Sequence, residues 1–326
     1  MVFLIGAPRS GTTWLQSLLG AHPDVVTPQE TDLFDKYVAP LEAGWDWQIR
    51  GGPQEWARRR YKGLPAVVTR ARFDELVAAL VTPVIEAASA LKPGATVLVE
   101  KSPSHSLHTD IIKRVLPNAH FLHLIRDGRD VAVSLIAAGD GWGSSWAPRS
   151  VRGAAEMWSS HVKAARRASS SSAAYREVRY ESLRAGGEER LADIFAFCGV
   201  TTTAEYRRDL VQRMSIERMS APGVRSPVLV GGEFAQVAVE RTEPSGFFGG
   251  ARTTGWREWR PTERRIFHNV AGDLLAQLGY APTDSWVEQR VIASRATEVA
   301  SFGARAAGSL LRRASRQADG WASRLP

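Results

Sequence analysis

The sequence predicts an α/β fold, a central parallel sheet flanked by helices, on three observations. Short runs of consecutive apolar residues alternate with helix-period segments, as βα units do. The first run, Phe3-Leu4-Ile5, passes into two glycines five residues apart, Gly6 and Gly11, and then at once into an amphipathic helix. Three strand ends, at Gly6–Thr13, Glu100–His105 and Arg126–Ser134, carry polar clusters. Open α/β sheets bind their ligands beyond such carboxyl ends.

The elements follow in order. The first βα unit runs from Val2 to about Gly20, with Trp14, Leu15, Leu18 and Leu19 marking the helix face. Residues 21–93 are mixed: Trp45, Trp47 and Trp56 sit among Gly, Pro and the basic Arg58-Arg59-Arg60, and a clearer helix spans about Phe73 to Leu91. Thr96–Val99 reads as a buried strand ending at Glu100-Lys101-Ser102-Pro103, and Ile111, Ile112 and Val115 give the next helix face. His120–Ile125 is a strand ending at Arg126-Asp127-Gly128, followed by helix from Val131 to Ala138. Ala154–Ala168 reads as helix, Ser169–Ser172 as loop, Tyr175–Tyr180 as strand, and Glu188–Phe197 as a helix closed by Gly199. Residues 219–255 are rich in Gly, Pro and Arg and read as loop, and Thr262–Leu278 forms a helix ending at Gly279.

Beyond Glu288, Ile292, Val299, Phe302, Ala306 and Leu310 recur at helical spacing among Arg305, Arg312, Arg313 and Arg316. The chain therefore divides into a domain over 1–285 and a basic amphipathic helical tail over 286–326. Such a tail suits an acidic membrane surface, a second copy of the chain in a homo-oligomer, or packing back on its own domain.

Composition sets limits. Hydrophobic residues at 44% and charged residues at 23% exclude a wholly disordered chain, and 326 residues suffice for a large core. Lys+Arg of 42 against Asp+Glu of 34 gives +8, which favours anionic ligands without choosing among them. The single Cys198 excludes an intrachain disulfide framework and reads as a buried thiol in a reducing compartment. No run of ~18 apolar residues could span a membrane, and no secretory leader is expected ahead of the first strand. The expected location is cytoplasmic.

The opening loop carries the most chemistry. A strand, a glycine turn and a helix N-terminus aim backbone N–H groups at an anion. A nucleoside triphosphatase would carry Gly-Lys-Ser/Thr here. This chain has Gly11-Thr12-Thr13, and its cation has moved into the loop as Arg9. Arg126 closes a strand with Ser134 eight residues on, so a guanidinium and a hydroxyl can clamp one phosphate. The competing reading pairs Arg126 with Asp127 or Asp130.

Together, Pro8-Arg9-Ser10-Gly11-Thr12-Thr13-Trp14, Glu100-Lys101-Ser102-Pro103 and Ile125-Arg126-Asp127-Gly128-Arg129-Asp130-Val131-Ala132-Val133-Ser134 resemble the P-loop sulfotransferases that use 3′-phosphoadenosine 5′-phosphosulfate (PAPS). Arg179-Tyr180-Glu181-Ser182-Leu183 resembles the family's Tyr-Glu-Asp-Leu segment, and Gly255-Trp256-Arg257 its Gly-x-Trp segment in a loop over the cofactor. The resemblance implies the P-loop sulfotransferase fold and a bacterial member nearer the carbohydrate-type branch. It implies that Arg9, Ser10, Gly11, Thr12 and Thr13 hold the 5′-phosphosulfate, that Trp14 and Tyr180 flank the adenine, and that Arg126 and Ser134 bind the 3′-phosphate. The cytosolic Arg-Lys-Gly before the Trp segment is missing, and Arg252 is its nearest substitute.

Sulfuryl transfer needs a base for the acceptor proton and cations for the charge on the leaving phosphate. No metal is required, and the seven His and one Cys form no evident ligand cluster. The cytosolic branch takes its base from a His at a position held here by Pro103. Glu30-Thr31-Asp32-Leu33-Phe34-Asp35 instead resembles the Glu-x-x-x-Phe-Asp stretch of the carbohydrate branch. Glu30 is therefore the expected base, Lys101 a catalytic cation beside Arg9, and His105 the second base candidate. Trp45, Trp47, Trp56, Trp142 and Trp146 are expected to wall the acceptor site. The acceptor is a small molecule, glycan or lipid hydroxyl, with no nucleic-acid partner. The alternatives are a phosphotransferase or NTPase of related fold and a non-catalytic nucleotide-binding module.

Overall fold

A computed structural model describes residues 1–60, 62–170, 174–221, 223–233, 235–242 and 254–288. Five parallel strands form the central sheet: β1 (Val2–Ile5), β2 (Val25–Val26), β3 (Val97–Glu100), β4 (His120–Ile125) and β5 (Tyr175–Arg179), in the order β2-β3-β1-β4-β5. The register sets Phe3 against Glu100 on one side and Phe121 on the other. β1 thus sits centrally, and the chain leaves it toward one edge before returning to the other. That is a topological switch point, and its crevice opens at the carboxyl ends of β1, β3 and β4.

The apolar strand runs are explained by helices on both faces. Leu4, Leu122 and Leu124 meet Leu15, Leu18, Leu191 and Phe195 on one face. Phe3, Ile5 and Phe121 meet Phe34, Phe73, Val77 and Ile112 on the other, the alternation that a pleat requires. A third cluster joins the helices Gly128–Gly139 and Val151–Arg167 to Trp256, Phe267, Leu275 and Trp286 near the end of the described chain. Side-chain caps set several helix starts: Thr69 for Arg70–Ala90, Asp127 for Gly128–Gly139 and Ser150 for Val151–Arg167. Cys198 is buried, and burial pushes its thiol up to about 12.

Two elements differ from the sequence expectation. The mixed region supplies the edge strand β2, whose two valines are too few to show a period. Within the stretch read as loop, Arg225–Gly232 (β6) and Ala235–Thr242 (β7) form an antiparallel hairpin. Pro and Gly weaken the strand pattern there, and the hairpin is supported from outside. Leu229 N–H donates to Thr27 O at 2.9 Å, and Gln29 N–H donates to Leu229 O at 2.8 Å. β6 therefore docks beside residues 27–29, which lead directly to Glu30. The tail beyond Glu288 lies outside the described residues.

Candidate active site

The phosphate loop is shaped by its backbone. Arg9 and Gly11 both lie in the left-handed region, at φ 70° and 96°, and the helix Thr12–Gly20 starts without a side-chain cap. The N–H groups of its first turn thus open into the loop. A Cβ on Gly11 would stand 2.6 Å from the Tyr180 ring. Ser10 is buried, and its Oγ has no hydrogen-bond partner among the described residues. A buried hydroxyl beside an uncapped helix end can donate to an anion, and these residues fit a phosphate.

Arg126 and Ser134 converge on the same loop. Arg9 Nε donates to Ser134 Oγ at 3.1 Å, and Arg126 Nη1 donates to the Arg9 carbonyl at 3.3 Å. The Arg126 guanidinium lies 4.5 Å from the centre of the Tyr180 ring. Asp127 is engaged by Arg129 at 2.6 Å. Asp130 accepts the Thr254 N–H at 2.7 Å, and burial and the neighbouring Asp127 push its carboxyl up to about 6.

Trp14 and Tyr180 meet edge to face, ring centres 5.9 Å apart, and both are buried. Trp14 borders a cavity of about 160 Å³ lined by Leu18, Leu183, Arg184, Ser215 and Ile216. Leu183 belongs to the Tyr-Glu-Asp-Leu-like segment, whereas sequence reasoning does not single out Arg184, Ser215 and Ile216. Trp256 fills the third cluster, with the Arg129 guanidinium 3.9 Å from its ring centre. Arg252 lies outside the described residues.

A larger cavity of about 460 Å³ opens over the loop, bounded by Arg9, Thr12 and Thr13 on one side and Glu30, Trp142 and Arg241 on others. Lys101, at the end of β3, is fully buried. It donates to Thr13 Oγ1 at 3.2 Å and forms an ion pair with Glu30. An isolated buried ammonium would be costly, so these partners define where Lys101 points. Glu30, by contrast, keeps part of its carboxylate open to the cavity.

Behind Glu30 lies a buried polar network. Glu100 accepts from Thr31 Oγ1, Ser102 Oγ and His105 Nδ1 at 2.8, 2.8 and 2.7 Å. Burial alone would raise the Glu100 carboxyl; His105, Thr31 and Ser102 outweigh it and hold it at about 2. The Phe34 N–H donates to His105 Nε2 at 3.1 Å, and the Asp32 N–H donates to Ser102 Oγ at 3.1 Å. His105, the second base candidate, sits apart from the cavity. It is fully buried, both ring nitrogens are engaged, and it does not line the cavity. The intervening Pro103 and Ser104 line it instead.

The tryptophans divide. Trp142 and Trp146 wall the cavity, half-exposed, with the Arg9 guanidinium 5.2 Å from the Trp142 ring centre. Trp45 is instead buried against Phe73 at 4.7 Å. Trp47 packs with Arg59, and Trp56 donates to the Lys62 carbonyl. None of these three lines the cavity. Short insertions rich in Trp suggest a wall, but the helices Ala39–Ile49 and Gly52–Arg58 carry them elsewhere. Arg241 and Gln29, which sequence reasoning did not single out, join the wall through the β7 hydrogen bond from Arg241 to Gln29 Oε1. Among the described residues, no group of three or more His, Cys, Asp or Glu could hold a metal ion, and no helix is long and apolar enough to cross a membrane.

Protein-tyrosine sulfotransferase 2 of Gallus gallus is 32% identical over 136 residues, 42% of this chain and 33% of that protein. Protein-tyrosine sulfotransferase 1 of Homo sapiens is 30% identical over 139 residues, 42% of this chain and 34% of that protein. The chain thus spans about a third of the length of these relatives. Among solved structures, a sulfotransferase domain from the curacin biosynthetic pathway aligns with TM-score 0.47 and 18% identity, over 84% of this chain and 96% of that one. A family model described as the sulfotransferase family matches residues 2–204, from β1 through Tyr180 and beyond. With more than half of its length matched, the chain belongs to the sulfotransferase family.

Proposed function

We propose that this protein transfers a sulfuryl group from PAPS to an acceptor hydroxyl, with Glu30 as the base. The observation that carries this reading is Lys101, buried between Thr13 of the phosphate loop and Glu30 at the cavity wall. One side chain ties the place for a leaving phosphate to the place for an acceptor proton.

The donor supplies the sulfuryl group and leaves as 3′-phosphoadenosine 5′-phosphate. Arg9, Ser10, Gly11, Thr12 and Thr13 would hold its 5′ end, Arg126 and Ser134 its 3′-phosphate. The cavity beside Trp14 is the place for its base. As the acceptor oxygen bonds to sulfur and the bond from sulfur to the bridging phosphate oxygen breaks, that oxygen leaves with the electron pair and Glu30 takes the acceptor proton. Lys101 and Arg9 balance the charge left on the phosphate, a contribution made by fixed charges in a dry site. The acceptor enters over Trp142 and Trp146, whose faces suit the apolar side of a sugar, lipid or aromatic alcohol.

Glu30→Gln tests this. It keeps the shape and an oxygen for Lys101 but removes the base, and general-base loss costs about 10²–10⁴-fold in rate. Turnover is expected to fall by that order with 3′-phosphoadenosine 5′-phosphate binding unchanged in calorimetry. Undiminished turnover would remove Glu30 from the role.

A further inference from the structure

The loop from Glu30 to Phe34 is held in an unusual shape. Asp32 is a non-glycine residue at φ 48°, and Leu33–Val38 that follows is a π-helix rather than an α-helix. Such a backbone persists only where its surroundings over-determine it. Among the described residues, the hydrogen bonds that reach residues 31–34 from elsewhere in the chain come from one short segment, residues 100–105. Thr31 donates twice to Glu100 Oε1, Asp32 donates its N–H to Ser102 and accepts from Ser104 Oγ at 3.3 Å, and Phe34 donates its N–H to His105.

The network also has a polarity. The Phe34 N–H can donate only to an unprotonated Nε2, so His105 carries its proton on Nδ1 and donates it to Glu100. Glu100 thereby selects the tautomer, and the tautomer in turn accepts the loop backbone. None of these groups lines the cavity except Ser104 and Asp32, so Glu100 and His105 act through the loop.

We infer that Glu100 and His105 are positioning residues that set the direction of the Glu30 carboxylate, an inference that rests on Glu30 being the base. Glu100→Gln is nearly isosteric, but its single carbonyl oxygen is taken by the Thr31 and Ser102 donors, which turns its NH2 toward His105 Nδ1. His105 must then carry its proton on Nε2, facing the Phe34 N–H with a second donor. His105→Phe removes both bonds, whereas His105→Gln retains one donor and one acceptor. Ser102→Ala removes the Asp32 tie and one donor to Glu100 Oε1 but leaves the Glu100–His105 hydrogen bond in place, so it remains informative if the pair variants fold poorly.

The experiment measures kcat, acceptor KM, 3′-phosphoadenosine 5′-phosphate affinity and amide exchange of residues 31–34 in each full-length variant. Glu100→Gln and His105→Phe are expected to lower kcat at least tenfold, to leave nucleotide affinity within twofold, and to speed exchange at Asp32 and Phe34. His105→Gln should recover most of kcat, and Ser102→Ala should show a smaller loss of the same kind. Unchanged kcat with accelerated exchange overturns the inference, as does a loss of nucleotide binding that matches the loss of kcat. Glu30→Gln in the same series reports separately on the base. If it retains wild-type turnover, the base reading fails, whatever exchange at 31–34 shows.

Discussion

Gly11 is the residue with the least freedom in the site. Its φ of 96° disfavours any L side chain, and a Cβ would strike the buried Tyr180 ring at 2.6 Å. That ring cannot retreat, because Arg126 lies over it and Trp14 abuts its edge. Gly11→Ala is therefore expected to weaken 3′-phosphoadenosine 5′-phosphate binding at least tenfold, a cost of about 1.4 kcal/mol, as calorimetry would measure. Full affinity in that variant would show that the loop tolerates a different backbone. At this scale the sequence was informative where a residue's type and its place at a strand end carried the meaning. Arg9, Arg126 and Ser134 carry such patterns and lie around one loop, beside Lys101, which the family resemblance supplies. His105 was read by its chemistry alone, and what the sequence could not display was its burial, with both nitrogens already committed to Glu100 and Phe34. Arg241 escaped notice because nothing near it in the chain belongs to the site; it arrives there only through the hairpin.

The β6–β7 hairpin is the element that most changes the picture of the cavity. Its docking rests on backbone bonds between Leu229 and residues 27–29, and its outer strand brings Arg241 to Gln29. Leu229→Pro deletes the N–H that donates to Thr27 O and leaves that carbonyl without its partner. The expected result is a raised acceptor KM with nucleotide affinity retained; a lowered nucleotide affinity instead would show that the hairpin supports the donor side. The strands β1, β3 and β4 were legible because helices cover both faces, so their residues form uninterrupted apolar runs. β6 pairs with only one strand and a single backbone segment. Its sequence mixes Pro227, Gly231 and Gly232 with apolar residues, and no local signal announces such a tertiary partnership.

Over the whole molecule, buried histidines make stability depend on pH. Burial, with Arg166 and His161 nearby, lowers His123 to about 3, and burial likewise lowers His161 to about 4. Both take up protons in the unfolded chain near 6.5 but resist them when folded. Their stabilisation is present above 6.5 and is lost as pH falls toward those values, at up to about 1.4 kcal/mol per pH unit for each. Asp130 acts in the opposite sense. Its folded value of about 6 exceeds the unfolded 3.8, so the folded state binds the extra proton and gains stability as pH falls through that window. Burial also lowers His22 and His108, so the histidines outweigh Asp130 and Tm is expected to decline from pH 6.5 to 4, with a shallower decline in His161→Gln. A flat Tm across that range would contradict the burial of these rings.

Arg129 has a consequence for the order in which the molecule is made. It lies between the rings of Trp256 and Trp286 and donates to the carbonyl of Tyr280, 151 residues later in the chain. It also sits in the first turn of the helix that carries Ser134. While the chain is still emerging from the ribosome, the phosphate loop, Glu30 and Lys101 are all synthesised long before this clamp exists. The sheet can assemble early, but that helix stays unclamped until residues 280–286 arrive. Nucleotide binding during synthesis should therefore appear late and abruptly, once residues 280–286 have been added.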